Sequence, residues 1–179
     1  MTRKSEKAKL VLPIGKRDHI QGPTKAPVAL VEYGDYECSH CGEAYRIVKQ
    51  IQRKLGHKLC FVFRNFPLTR MHANAQHAAE TAEAAAAQGK FWEMHDYLFE
   101  HQSSLDDEHL RKYVIALGLD VTRFDKEMKK HAYAARVRED FLSGVKGGVN
   151  GTPTFFINGV RYDGSWDLEN LLKALIKRK

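Results

Sequence analysis

Cysteine is scarce in this chain: it has three in 179 residues. The odd number leaves one thiol over after any pairing and argues against a disulfide-stapled secreted scaffold. Long apolar runs are missing too. No stretch approaches the roughly 18 apolar residues of a membrane span. Behind the basic start the apolar stretch 10–14 is short and contains Pro13, whereas a secretory leader needs about 7 to 15 apolar residues and a small-residue cleavage site. These absences lead to the expectation of a cytoplasmic protein with no membrane span. Internal repeats and low-complexity linkers are lacking, and with 43% apolar residues the chain can bury one sizeable core.

An even spread of positive charge is also missing. The net charge is +7, but residues 1–25 hold seven Lys or Arg against two acids, and 173–179 hold four against none. Between them, 26–172 carry 18 basic and 20 acidic residues. A nearly neutral body with basic ends is no nucleic-acid footprint, and residues 1–23 read as a basic N-terminal extension.

What is present is an ordered succession of elements. The run 28–33 follows a breaker-rich segment and predicts a strand. Ala44, Ile47, Val48, Ile51 and Leu55 share one face of a helix predicted over about 39–55, with Gly56 at its C′ position. The stretch 58–64 is apolar without alternation, as a strand buried on both faces requires. From 72 to 146 the pattern is almost wholly helical. It opens with an alanine-rich segment that allows close backbone approach, and Asp106 and Asp120 are placed as N-caps. Strand signals return at 154–158 and 160–163, joined by Asn158-Gly159, a dipeptide favoured in tight hairpins. An amphipathic helix over 167–177 closes the chain. The order is β-α-β, a helical insertion of four to five helices, then β-β-α.

Cys38 and Cys41 lie where the first strand gives way to the first helix. Two thiols at this spacing can close a disulfide, and a helix N-terminus offers unpaired N–H groups and a positive dipole end that stabilise a thiolate. A zinc knuckle would need a second pair of ligands at similar spacing. The chain has none, although His40 and His57 stand as conceivable additional ligands. Cys60, flanked by apolar residues in a predicted strand, reads as an inert buried thiol.

The element order, with Cys38-Ser39-His40-Cys41 opening the first helix and Thr152-Pro153 before the third strand, resembles the thioredoxin superfamily, and the helical insertion narrows the resemblance to DsbA-like proteins. It covers about residues 24–178, with 72–146 as the insertion. Two segments carry it: Val31-Glu32-Tyr33-Gly34-Asp35-Tyr36-Glu37-Cys38-Ser39-His40-Cys41 and Gly151-Thr152-Pro153-Thr154-Phe155. One departure is Ser39, where the best-known DsbA proteins place proline; the intervening pair helps tune thiol pKa and potential.

The resemblance implies an α/β thioredoxin fold and a thiol–disulfide oxidoreductase needing no metal or organic cofactor. By it, Cys38 is the nucleophile, exposed at the helix tip, Cys41 the resolving thiol, and the two form the redox-active disulfide. His40 would favour the Cys38 thiolate through a hydrogen bond or partial charge. Glu32 would be a buried acid moving a proton to or from Cys41, against the alternative of an exposed strand-edge acid. Pro153 would be cis, turning the Thr152 backbone toward an extended substrate, with Ser39 on the same rim. The implied partners are protein or peptide thiols and disulfides, and an unidentified redox partner. Oxidase and reductase directions are equally open, because compartment poise decides between them. The alternative from another class is a non-enzymatic module that binds a peptide or a metal ion in the same groove.

Overall fold

Every residue of Leu59–Asn65 is buried, which follows from a strand whose side chains alternate between two covered faces. In the computed structural model, which describes residues 8–177, this strand (β3) pairs in parallel with β2, Val28–Gly34, and antiparallel with a short β1, His19–Gln21. On its other side β2 pairs antiparallel with β4, Thr154–Ile157, which turns through Asn158 and Gly159 into β5, Val160–Tyr162. Both turn residues have positive φ, +48° and +79°, the conformation for which Asn-Gly is selected. The sheet order is β1-β3-β2-β4-β5.

The period of two divides the sheet into two cores. Leu30, Phe61, Phe63, Phe155 and Ile157 face one cluster, which includes Ala44, Val48 and Ile51 of α1 (Ser39–Leu55) and Leu171 and Leu175 of α7 (Leu168–Lys177). Val31, Tyr33, Cys60, Val62 and Phe156 face the other, with Phe66 and Phe141 stacked at 4.4 Å. Between β3 and β4 lie five helices: α2 Ala75–Ala86, α3 Phe91–Glu100, α4 Asp107–Ala116, α5 Val121–Lys129 and α6 Ala134–Lys146. Alanines 78, 79, 82, 84 and 85 are buried, and α2 packs against α3, α5 and α6. Asp106 and Asp120 cap α4 and α5 by accepting from the N–H groups of His109 and Arg123, as their positions suggest.

The sequence carries no strand signal before Val28, yet residues 8–21 are woven into the fold. Residues 8–10 run along the β5 edge, with the Leu10 N–H on the Gly159 carbonyl at 2.8 Å and the Arg161 N–H on the Ala8 carbonyl at 2.9 Å. The chain then carries Leu10 and Ile14 over the second core and reaches the opposite edge as β1. Arg64 anchors it from below. Its side chain is fully buried, donating to Asp18 at 2.8 and 3.1 Å and to the Tyr33 hydroxyl at 2.9 Å. A buried guanidinium demands such a partner, and only the three-dimensional pairing identifies it. Residues 1–7 of the basic extension, and residue 178 of the span assigned to the domain, lie outside the described residues.

Candidate active site

Cys38 is the N-cap residue of α1, with extended backbone at φ −74° and ψ 121°. A sulfur there occupies the place where a serine or aspartate oxygen would accept from the second and third helical N–H groups. The sulfur closes no cap hydrogen bond of standard geometry as a thiol. As a thiolate it draws first on the Cys41 S–H, then, against the opposing effect of burial, on Thr152 and on the N–H groups of Cys41 and His40, which together lower its pKa from 9.0 to about 5. Both cysteines are free thiols.

The Thr152–Pro153 peptide is cis. The Thr152 carbonyl accepts from the Cys38 sulfur at 3.6 Å, so the turn before β4 and the tip of α1 meet at one point. The Thr152 hydroxyl is buried without a partner beside the thiol and is one of the groups that favour the thiolate. Ser39 is exposed on the rim. The resemblance implies an exposed Cys38, but the residue is only 6% exposed. Its position against Thr152 accounts for the cover, and a partner must reach it across this rim.

Cys41, one turn inside, is fully buried and accepts from the Asp35 N–H at 3.4 Å. Burial, then the hydrogen bond it gives to Cys38, then the charge of Glu32 raise its pKa well above 9.0. Glu32 shares a face with Leu30 and Gly34 on β2, opposite Phe63 in the register, and alternation therefore points it toward α1. It is 2% exposed, which excludes the strand-edge alternative, because β2 lies between β3 and β4. Burial, followed by the Cys38 charge, raises its pKa from 4.5 to about 8, and Oε1 has no hydrogen-bond partner.

His40 differs from expectation. What reaches the sulfur from this residue is its backbone N–H. The imidazole is 68% exposed, 3.9 Å from Glu43 and edge-on to Trp166, because the second helical position of α1 directs its side chain outward. His57 lies in the turn after α1, at the opposite end of the helix from the cysteines. Among the described residues no group of three or more His, Cys, Asp or Glu side chains is arranged to hold a metal ion. Cys60 is buried on the second face of the sheet, away from the pair, and burial followed by the charge of Asp18 raises its pKa.

Three contributors escaped the sequence reading. Gln102, in the turn after α3, donates to the carbonyls of Tyr36 and Cys38 at 2.7 and 2.9 Å. Its carboxamide fills the space left by Gly42, where an added Cβ would collide with Oε1. Asp35 and His72, joined at 2.8 Å, tie the loop after β3 to the cysteine segment. Asp35 stands inside a motif segment and offered a signal; a lone glutamine and a lone histidine far along the chain offered none.

The family model described as thioredoxin matches residues 15–177. The Na(+)/H(+) antiporter NhaA 1 of Mycobacterium sp. (strain KMS) is 45% identical over 169 residues, which are 93% of this chain and 28% of that protein. The chain thus spans about a quarter of the length of the curated relatives it matches. Among solved structures, oxidised BdbD from Bacillus subtilis superposes with a TM-score of 0.84 at 22% identity, over 97% of both chains. The alpha-DsbA1 protein of Wolbachia pipientis does so with a TM-score of 0.77 at 23% identity, over 94% of this chain and 95% of that one.

Proposed function

Because the chain belongs to the thioredoxin superfamily, as a DsbA-like member, we propose that it is a thiol–disulfide oxidoreductase acting on protein or peptide cysteines through a mixed disulfide at Cys38. As a reductant, the Cys38 thiolate attacks one sulfur of a client disulfide. That S–S bond breaks, a Cys38–client disulfide forms, and one client thiolate leaves to take up a proton. Cys41 then gives up its proton and attacks the Cys38 sulfur. The Cys38–Cys41 disulfide forms, the second client thiolate leaves and takes up the proton that Cys41 gave up, and two electrons have passed to the client, the other proton coming from solvent. As an oxidant, the pair runs the same steps in reverse.

Glu32 is the proposed carrier of the Cys41 proton, taking it up in its ionised fraction and returning it in the reverse direction. A carboxyl with a pKa of about 8 is matched to a proton exchanged near neutrality, and its charge acts on Cys41. The Thr152 backbone and Ser39 form the proposed rim for an extended client segment. His40 contributes through its amide. Stabilising the Cys38 thiolate stabilises the reduced pair and so makes the disulfide the better oxidant. The poise of the unidentified partner couple then sets the working direction.

The observation that carries this reading is the placement of the Cys38 sulfur, at the N-cap of α1 and 3.6 Å from the carbonyl before Pro153. The antiport in the relatives' name stays with those proteins: no helix among the described residues is long and apolar enough to cross a membrane, and the groups gathered here are sulfur, carboxyl and amide. Trapping tests the proposal. Cys41→Ser should accumulate covalent adducts with a disulfide-bearing peptide, and Cys38→Ser should form none. Adducts indifferent to both changes, or a Cys38 that titrates near 9 and forms none, would leave the non-enzymatic binding module as the better reading.

A further inference from the structure

The loop 66–74 belongs to neither motif, yet it is fastened to the segment that enters α1. Asp35 Oδ2 accepts from the Leu68 N–H at 2.8 Å and lies 2.8 Å from His72 Nδ1. Glu37 accepts from the backbone and side-chain N–H groups of Asn74 at 2.7 and 3.0 Å. Asp35 Oδ1 accepts from the Glu37 N–H at 2.8 Å, which joins the two attachments. Through its backbone the same Asp35 touches both thiol residues, with its N–H on Cys41 Sγ at 3.4 Å and its carbonyl accepting from the Cys38 N–H at 3.2 Å.

The Asp35 side chain has no exposed surface, and a buried carboxylate needs a partner for its charge. His72, with 21% of its side chain exposed, supplies one. Burial disfavours its charged form, but Asp35, and after it Cys38 and Glu37, raise its pKa. The ring therefore stands among two carboxylates and the sulfur, a setting that favours its charged form. His40 cannot fill that place, since its ring is turned outward to Glu43 and Trp166.

We propose that His72 is a positioning residue for the thiol exchange: paired with Asp35, it locks the 66–74 loop onto the turn before α1, holds the Asp35 backbone against the Cys41 sulfur and the Cys38 N–H, and offsets carboxylate charge that opposes a Cys38 thiolate. The role rests on the thiol–disulfide reading above. It differs from a purely structural clasp in one respect: removing the imidazole changes the acidity of a sulfur that lies beyond its own hydrogen bond to Asp35.

The test titrates Cys38 in the reduced full chain, by thiolate absorbance and by alkylation rate against pH, in the wild type, His72→Leu and His72→Asn. In His72→Leu the midpoint should rise from about 5 by about half a pH unit or more, which is about threefold less thiolate on the acid side. The equilibrium with glutathione should shift toward the Cys38–Cys41 disulfide by a similar factor. His72→Asn keeps an N–H for Asp35 without the charge and should move both readouts the same way by less. In an Asp35→Asn background His72→Leu should add little, as coupled residues do. An unmoved midpoint in the folded variants overturns the role. If the leucine variant does not fold, the asparagine variant decides by the same criterion. Failure of the wild type to show an acidic thiol or client adducts counts against thiol exchange itself and is read without the variants.

Discussion

Replacing Glu32 by glutamine in a Cys38→Ser, Cys41→Ser background isolates one buried carboxyl from the thiols around it. Glu32 is fully desolvated in the fold, and its pKa stands at about 8 against 4.5 for an ordinary glutamate. Between those values the unfolded chain releases the proton and the folded chain keeps it, so stability falls as pH rises. At about 1.36 kcal/mol per pH unit the burden is absent below pH 4.5, reaches about 3 kcal/mol at pH 7, and levels off near 5 kcal/mol above pH 8. Burial is the first cause and the Cys38 charge the second; with serine at 38 the plateau arrives at a somewhat lower pH. The glutamine side chain has no proton to lose over this range. Its amide, buried where Oε1 lacks a partner, adds a constant offset that moves the whole curve without changing its slope. Urea unfolding from pH 4 to 9, followed by the fluorescence of Trp92 and Trp166, should show the Glu32→Gln variant gaining on its parent by about 1.4 kcal/mol per pH unit through the neutral range. A difference independent of pH would refute the claim that Glu32 is held protonated by burial, and with it the assignment of Glu32 as proton carrier.

Two further predictions concern a group that holds the site and a pair that anchors the N-terminal segment. Gly42→Ala should expel the Gln102 carboxamide and cost about 1–3 kcal/mol, chiefly through the two lost hydrogen bonds; Gln102→Ala should cost about the same, and the double variant less than their sum, measured by urea midpoints. Strict additivity would show that the two do not share one space. Asp18→Asn leaves the buried Arg64 without its counter-charge and should lose about 3–5 kcal/mol, much of it recovered by pairing Asp18→Leu with Arg64→Met. Burial opposes the Asp18 charge, but the Arg64 hydrogen bond prevails and lowers its pKa below 3.8. This contribution is therefore present above pH 3.8 and lost as pH falls through the lower folded value, so acid unfolding should lose steepness there in Asp18→Asn.

The cysteine pair, the strand before it and the helix behind it were legible in the sequence because each depends on local pattern. The bounds of α1, 39–55, came from apolar spacing and a glycine stop, and Asn158-Gly159 named its own turn. Five helices between β3 and β4 follow from a periodicity that needs no partner to be read. β1 was not legible, since three residues of mixed polarity become a strand only by pairing with β3. The basic composition of residues 1–23 also hid the one acid, Asp18, that Arg64 requires.

Sequence alone therefore determined which sulfurs stand one helical turn apart at a helix start, because spacing and capping are properties of neighbouring residues. Tertiary structure decided what surrounds them. The burial that raises the Glu32 pKa, the Thr152 carbonyl against Cys38, the Gln102 amide in the Gly42 space and the His72–Asp35 pair all join residues distant along the chain. Electric field and desolvation at a site depend on distance through space, and only the packed fold sets those distances.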